Sequence, residues 1–224
     1  MDDGASETKD SGGGRGQMSH KIITISREFG SGGLEIATKL AEKLNVPVYN
    51  KNITDMASER SGIRKSYFDK VDEQPTDSFL YTLAVNAFSV TANLSPYDNA
   101  LSSDKLFNLQ ADVIREIAQS GDSVIVGRCA NYILREDPAC ISIFITAPID
   151  FRIGRIMESE KLEEKEARKL IETTDKKRDS YVKYYAGYSR RDCSAYDLVI
   201  NSGRIGTDKA VELILHYLSL RFPD

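Results

Sequence analysis

A glycine-rich segment lies near the start of the chain, between a β-branched run and an amphipathic helical pattern. Residues 22–25 read IITI, residues 26–33 read SREFGSGG, and residues 34–44 place apolar side chains at helical spacing. A strand, a glycine-rich turn and a helix N-terminus in this order form an anion site, because unpaired backbone N–H groups and the positive end of the helix converge on one point. The segment therefore predicts a phosphate-binding loop. The alternative is a tight βα turn that holds no ligand.

Short β-branched runs alternate with helical patterns along the rest of the chain. After residues 22–25, runs typical of buried strands occur at residues 45–49, 123–126, 141–145 and 197–200. This alternation is typical of βα units around a mostly parallel sheet. We therefore expect an α/β fold in which about five parallel strands are flanked by helices.

The composition along the chain predicts one domain with a tail before it. Residues 1–19 are rich in Gly, Ser and Asp, which predicts a disordered tail or a remnant added for expression. Residues 20–224 are expected to form the domain, with a helical substrate-side excursion over residues 53–120 and a charged lid over residues 160–195. Helices are expected at residues 78–90, 104–119, 149–185 and 208–220.

Charge and cysteine content narrow the classes of partner and compartment. The 224 residues carry a formal net charge of −4 from nearly balanced acids and bases, so we expect neither a nucleic-acid nor an anionic-membrane partner. No apolar run approaches the roughly 20 residues that span a bilayer. The three cysteines are too few and too far apart for a disulfide framework or a zinc site, which favours a reducing cytoplasm.

The loop departs from the usual nucleotide-binding patterns in defined ways. Laid on G-x-x-x-x-G-K-[ST], it places Arg27 at the first glycine, Gly32 at the second, Gly33 at the lysine and Leu34 at the magnesium-binding hydroxyl. A dinucleotide-binding loop fits less well, because Glu35 stands at the third glycine of that pattern. Asn50 also stands where an acidic residue is expected after the second strand of such a fold.

Three segments together resemble the cytidylate kinase-like family, a branch of the P-loop nucleoside monophosphate kinases. They are ISREFGSGG at residues 25–33, VGRCA at residues 126–130 and YDLVIN at residues 196–201. The resemblance covers nearly everything from residue 22 to residue 220. It implies a three-layer P-loop nucleoside kinase fold with a helical lid, and nucleoside mono- and triphosphates as partners.

The resemblance also implies roles for individual residues. Arg128 matches the arginine that cytidylate kinases direct at the monophosphate, although Cys129 replaces the aspartate that usually follows it. Asp175, Lys177 and Arg178 are similar to the basic lid motif that closes over the transferring phosphate. ATP is expected on the loop, at Arg27, Gly30, Ser31, Gly32, Gly33, Leu34 and Glu35. Further acceptor-side candidates, besides Arg128, are Asp192 and Arg64, with Arg60 as an alternative to Arg64 that spacing does not separate from it. Arg190 or Arg191 are further lid candidates.

These observations bear on three hypotheses about function. The first is ATP- and Mg²⁺-dependent phosphoryl transfer to a nucleoside monophosphate, with a CMP-like acceptor. The second is a nucleotide-binding regulatory protein that has lost this activity, which Gly33 and Leu34 favour. The third is a nicotinamide-dependent oxidoreductase, which the loop pattern disfavours. No protein side chain is singled out as a metal ligand, and the sequence gives no indication of the oligomeric state.

Overall fold

The computed structural model describes residues 21–71 and 103–223 of the chain. Within them the sheet has five parallel strands in the order β2-β3-β1-β4-β5. The strands are β1 Ile22–Arg27, β2 Val48–Tyr49, β3 Ser123–Val126, β4 Cys140–Thr146 and β5 Leu198–Asn201. A parallel order of this kind requires a crossover between successive strands, and helices supply those crossovers here.

Helices cover both faces of the sheet, as the continuous apolar strands require. The helices are α1 Gly33–Leu44, α2 Asn52–Ser61, α3 Lys65–Val71, α4 Ser103–Ser120, α5 Ala130–Ile133, α6 Ile149–Glu160, α7 Glu164–Ala186 and α8 Ser202–Arg221. A short 3₁₀ turn, Cys193–Ala195, precedes β5. Gly206, with φ of 80° and ψ of 168°, interrupts α8 near its start.

The central strands are buried because each face of the sheet packs against its own helices. On one face α1 and α8 enclose a cluster around Ile36, Leu40 and Ile214, all of which have no exposed surface. On the other face α2 and α4 enclose a second cluster that includes Ile53 and Ile114. Burying this much apolar surface on both sides stabilises the sheet and fixes where its strand ends lie.

The predicted elements agree closely with the observed ones in the described residues. The five predicted strands are all present, and no strand end differs from its predicted position by more than three residues. The predicted helical region at residues 149–185 is two helices, because Lys161, with φ of 55°, ends α6. The last helix, α8, begins at Ser202, but its backbone is non-helical at Gly206, so the part after this break corresponds to the predicted helix at residues 208–220. The predicted tail at residues 1–19 and the predicted helix at residues 78–90 lie outside the described residues.

Candidate functional site

The loop between β1 and α1 turns through two glycines in the left-handed region. Gly30 and Gly32 both have φ of 80°, which residues with a Cβ rarely adopt. A Cβ on Gly30 would also lie 2.9 Å from the carbonyl oxygen of Arg152. Both the dihedral angle and the packing therefore require glycine at this turn.

The inner half of this loop, from Gly30 to Leu34, keeps backbone N–H donors available. In residues 21–71 and 103–223, no acceptor is bonded to the N–H groups of Gly30, Gly32, Gly33 and Leu34. Phe29, which precedes this half, is bonded within the protein, since its N–H donates to Asp175 Oδ1 at 2.9 Å. N–H groups of a first helical turn have no intrahelical acceptor, and the helix dipole adds partial positive charge there. The inner half of the loop therefore fits an anion such as a phosphate.

Gly33 cannot carry a side chain in this loop conformation. A Cβ built on Gly33 lies 2.5 Å from Arg27 Cβ and 3.0 Å from Arg27 Cγ. Atoms in contact normally lie at least about 3.5 Å apart. The lysine that the usual phosphate-binding loop places here would therefore collide with the base of the Arg27 side chain.

A cavity of about 450 Å³, here called the loop cavity, lies where the parallel strands end. Asn50 and Lys51, which follow β2, line it together with the loop. Predicted site residues from the loop, the end of β3 and α7 also line it: Arg27, Gly30, Gly32, Gly33, Leu34, Glu35, Arg128 and Arg178. Ligands of open α/β sheets bind at this end of the strands.

Arg128 reaches the loop cavity from the end of β3 and is held by neighbours. Only 2% of its surface is exposed, and its guanidinium donates to Thr54 Oγ1 at 3.3 Å and to Asn50 Oδ1 at 3.4 Å. Arg128 and Cys129 have φ of 53° and 55°, which costs free energy for residues with a Cβ. Backbone conformations of this kind cluster at functional sites, so they support a role for this turn.

The two basic residues predicted in the lid occupy different positions on α7. Arg178 lines the loop cavity, and its guanidinium lies 5.5 Å from the centre of the Phe29 ring. Lys177 is exposed and does not line the cavity. Neighbouring positions on a helix point in different directions, so one α7 face can present only one of them to the loop.

Two predicted site residues are buried and bonded within the protein. Ser31 has no exposed surface, and its hydroxyl donates to the carbonyl oxygen of Glu28 at 2.8 Å. Asp175 is 5% exposed and pairs with Arg152 at 2.5 Å and with Arg190 at 3.1 Å. Neither Ser31 nor Asp175 lines the loop cavity.

The two acceptor-side candidates other than Arg128 lie away from the loop cavity. Arg64 is exposed, just before α3. Asp192 caps the 3₁₀ turn, where Ser194 N–H and Ser194 Oγ donate to its carboxylate at 3.0 and 2.7 Å. Asp192 lines a separate cavity of about 600 Å³ with Tyr188 and Tyr196. The acceptor roles of Arg64 and Asp192 stay predictions, and this geometry gives them no support.

Arg155 is a cation of the loop cavity that the sequence did not single out. It lies on α6, and its guanidinium carbon is 3.5 Å from where a Cβ on Gly32 would lie. Glu35 Oε2 accepts from it at 2.7 Å. Hydrogen bonds from Lys39, Thr207 and Arg155 hold the pKa of Glu35 down to about 2, so this carboxylate stays charged and keeps Arg155 beside the loop.

Sequence comparison assigns the chain to a protein family. Residues 22–204 match the profile of the cytidylate kinase-like family. The chain belongs to this family. Among its relatives is a cytidylate kinase of Methanopyrus kandleri, 28% identical over 204 residues that cover 86% of this chain and 90% of the relative. A cytidylate kinase of Saccharolobus islandicus is 27% identical over 202 residues, covering 89% of this chain and 91% of the relative.

Structure comparison supports the fold. An uncharacterised protein from Eubacterium ventriosum superposes with a TM-score of 0.66 at 30% identity, covering 88% of this chain and 98% of that one. A shikimate kinase from Bacteroides thetaiotaomicron superposes with a TM-score of 0.51 at 14% identity, covering 90% and 99%. The second likeness concerns the fold alone. The predicted family and the predicted P-loop kinase fold are both confirmed.

The described residues contain neither a metal-binding cluster nor a membrane-spanning helix. Over the described ranges, no group of three or more His, Cys, Asp and Glu side chains could hold a metal ion. No helix in those same ranges is both long enough and apolar enough to cross a bilayer.

Cys129 is buried, and burial raises the pKa of the Cys140 thiol to about 11, so that thiol stays protonated at neutral pH.

Sequence reasoning missed site residues whose position depends on tertiary packing. Arg155 lies on a charged helix, and apart from its spacing from Arg152 its local pattern does not distinguish it from exposed arginines. Thr54 and Asn50, which hold Arg128, follow β2 in a segment that no motif marked. The helical spacing of Arg152 and Arg155 on α6 was the one available signal, because residues three apart lie on neighbouring parts of one helix face.

Proposed function

We propose that this protein transfers the γ-phosphoryl group of ATP to a nucleoside monophosphate, with a CMP-like acceptor. One observation carries the proposal. N–H groups of the β1–α1 loop that have no acceptor within the described part of the chain line one cavity at the carboxyl end of the sheet, together with Arg128 and Arg178 from separate elements. The cytidylate kinase relatives, which match most of the chain, support the choice of acceptor.

Each group in the loop cavity has a role in this proposal. The β- and γ-phosphates of ATP accept hydrogen bonds from the loop N–H groups at Gly30, Gly32 and Gly33. Arg128 holds the phosphate of the acceptor from the end of the neighbouring parallel strand β3. Arg178 and Arg155 supply positive charge beside the transferring phosphoryl group, where negative charge spreads over its oxygens.

The proposal requires positioning rather than covalent catalysis by the protein. Phosphoryl transfer proceeds when two phosphates are held in line and their charge is neutralised. Mg²⁺ bound to ATP supplies part of that neutralisation. Ser31 has no exposed surface and does not line the loop cavity, and position 34 carries leucine, so the loop offers Mg²⁺ no side-chain oxygen at these positions. Such an ion is then held mainly by phosphate oxygens and water.

Arg155 replaces the missing loop lysine in this proposal. Gly33 has no room for a side chain, and Leu34 is apolar and 47% exposed. The guanidinium of Arg155 lies beside Gly32, next to the N–H groups that would bind phosphate. A cation from α6 therefore takes the place that a lysine in the loop would otherwise fill.

The experiment is a phosphoryl-transfer assay with purified protein, ATP, Mg²⁺ and a panel of nucleoside monophosphates. We expect ADP formation that requires both Mg²⁺ and an acceptor, highest with CMP. The Arg128→Met variant is expected to lose activity by about 100-fold, because a buried charged donor to phosphate is removed. Arg115→Met, at an exposed arginine paired with Asp112 on α4, is the matched control. No ADP formation with any acceptor would refute the kinase proposal.

A nucleotide-binding regulatory protein is the second candidate, and Leu34 favours it because the magnesium-binding hydroxyl is missing at this position. Calorimetry with ATP distinguishes the two candidates, since binding without turnover supports the regulatory protein. Leu34→Thr restores the hydroxyl at an exposed position, whereas Gly33→Lys collides with Arg27 and cannot serve as a test. Activity that appears only in Leu34→Thr supports the regulatory candidate. A cytoplasmic location stays a prediction from the cysteine content.

A further inference from the structure

A buried network of ion pairs lies next to the phosphate-binding loop. Its members are two carboxylates and two guanidinium groups, Glu28, Arg152, Asp175 and Arg190, with side chains between 3% and 8% exposed. They come from the loop, α6, α7 and the segment that follows α7. Buried charges are kept in proteins when they are paired, and their removal is costly for whatever they hold in place.

This network bonds the backbone of the loop on both sides of Glu28. Arg190 donates to the carbonyl oxygen of Arg27. Asp175 Oδ1 accepts from Phe29 N–H at 2.9 Å, and Arg152 donates to the Phe29 carbonyl oxygen at 3.3 Å. The backbone that leads into Gly30 is therefore fixed at each of these polar atoms.

Asp175 is the member that joins the others. Its Oδ2 pairs with Arg152 at 2.5 Å, and its Oδ1 pairs with Arg190 at 3.1 Å while it also accepts from Phe29. Both guanidinium groups that bond the loop backbone are thus oriented by one carboxylate. Because Asp175 lies in the middle of α7, this side chain connects α7 to the loop.

We infer that Asp175 is a positioning residue, which sets the arrangement of the loop N–H groups for phosphate and does not itself touch substrate. The inference rests on the proposed function only in taking the loop as the phosphate site. A catalytic role of the kind that the sequence suggested would require a carboxylate oxygen in the loop cavity. Both oxygens are bonded within the protein, and Asp175 does not line that cavity.

The first test compares hydrogen exchange at the Phe29 amide, measured by NMR on the full chain, with ATP affinity from calorimetry. In Asp175→Ala we expect exchange at Phe29 to accelerate by about tenfold or more, and ATP to bind about tenfold more weakly, because a hydrogen bond to a charged acceptor is lost. Asp175→Asn keeps an oxygen acceptor for Phe29 and should show a smaller change in both. Lys176→Ala, at the exposed neighbour on α7, is the control and should change neither.

The outcomes separate this inference from the kinase proposal. Hydrogen exchange and ATP binding are both measured without turnover. A wild-type protein that binds ATP but transfers no phosphate therefore refutes only the kinase proposal. A folded Asp175→Ala with unchanged Phe29 exchange and unchanged ATP affinity overturns the inference. Loss of turnover with ATP affinity unchanged also overturns it, because that result assigns Asp175 a direct catalytic role.

A second variant keeps the test decisive if Asp175→Ala does not fold. Arg190→Gln removes the donor to the Arg27 carbonyl oxygen and one partner of Asp175, and leaves the Asp175–Arg152 pair in place. We expect the same direction of change in ATP affinity, by about fivefold or more. An Arg190→Gln variant that folds and binds ATP like the wild type refutes the inference.

Discussion

Substitution of Gly33 by alanine tests whether packing excludes a side chain from this position. The new Cβ would lie 2.5 Å from Arg27 Cβ, an atom attached directly to the backbone of β1. Arg27 is paired with Ile145 of β4, so β1 cannot move without disturbing the sheet. A displacement of about 1 Å is needed to restore a normal contact of about 3.5 Å. The substitution should therefore shift the loop rather than a flexible side-chain end.

The expected cost combines two opposing effects. Overpacking of this kind lowers the free energy of unfolding by about 1–3 kcal/mol. Alanine in place of glycine in a helix raises it by up to about 1 kcal/mol. We therefore expect Gly33→Ala to lower the free energy of unfolding by about 1–2 kcal/mol. Gly154→Ala on α6 is the matched control, since no atom of the described residues, apart from its chain neighbours and the backbone of its own helix, lies within 4 Å of its added Cβ. That control should be stabilised by about 0.5 kcal/mol or more.

The assay is urea unfolding of the wild type and both variants, followed by ATP calorimetry on the folded proteins. We expect the midpoint to fall for Gly33→Ala and to rise for Gly154→Ala, with the same slope for all three proteins. ATP affinity should fall only in Gly33→Ala, because its loop N–H groups have moved. A Gly33→Ala variant as stable as Gly154→Ala, with wild-type ATP affinity, would show that Arg27 does not restrict position 33.

Three further substitutions address the charges and the acceptor side of the loop cavity. Glu35→Gln should remove a stabilisation that is complete above pH 4.5 and lost as the pH falls towards 2, because the pKa of Glu35 is lowered from 4.5 to about 2. Its partial exposure limits the effect to about 1 kcal/mol, so the difference in Tm between variant and wild type should be present at pH 6 and shrink towards pH 3. Arg155→Met should weaken ATP binding by about tenfold in calorimetry, and unchanged affinity would remove Arg155 from the proposal. Thr54→Val should raise the KM for the acceptor by several-fold at unchanged ATP affinity, since Thr54 Oγ1 accepts from Arg128; an equal effect on ATP would contradict this.

The fold was predictable because strong local patterns decide it. Residues 123–126 are a short apolar run entered from a Gly-Asp turn, and β3 occupies the same residues. The glycines of the loop were equally informative, because the backbone dihedrals at Gly30 and Gly32 require them. Local sequence therefore predicted the strands, most helix positions and the loop, all of which depend on neighbours along the chain.

The side chains around the loop were harder to predict, because their positions depend on how elements pack. Lys177 and Arg178 are adjacent in sequence and equally basic, yet only Arg178 lines the loop cavity. Asp175 matched the lid motif but is buried in ion pairs whose partners, Arg152 and Arg190, lie on other segments. Spacing along α7 could assign these residues to different faces of the helix. Only the packing of α7 on the loop decides which face points towards the loop cavity.

The departures of the loop from the usual pattern form a consistent set. Gly33 lacks a side chain because Arg27 occupies the space, so a lysine there would be incompatible with the strand that carries the loop. Positive charge then has to come from other elements, and Arg155 of α6 and Arg178 of α7 both line the same cavity. A loop that depends on outside cations also depends on the position of α6 and α7, and Asp175 bonds α7 to Arg152 of α6 and to the loop backbone. The missing lysine and the buried ion pairs are therefore two consequences of one arrangement, in which the helices beyond β4 complete the proposed phosphate site.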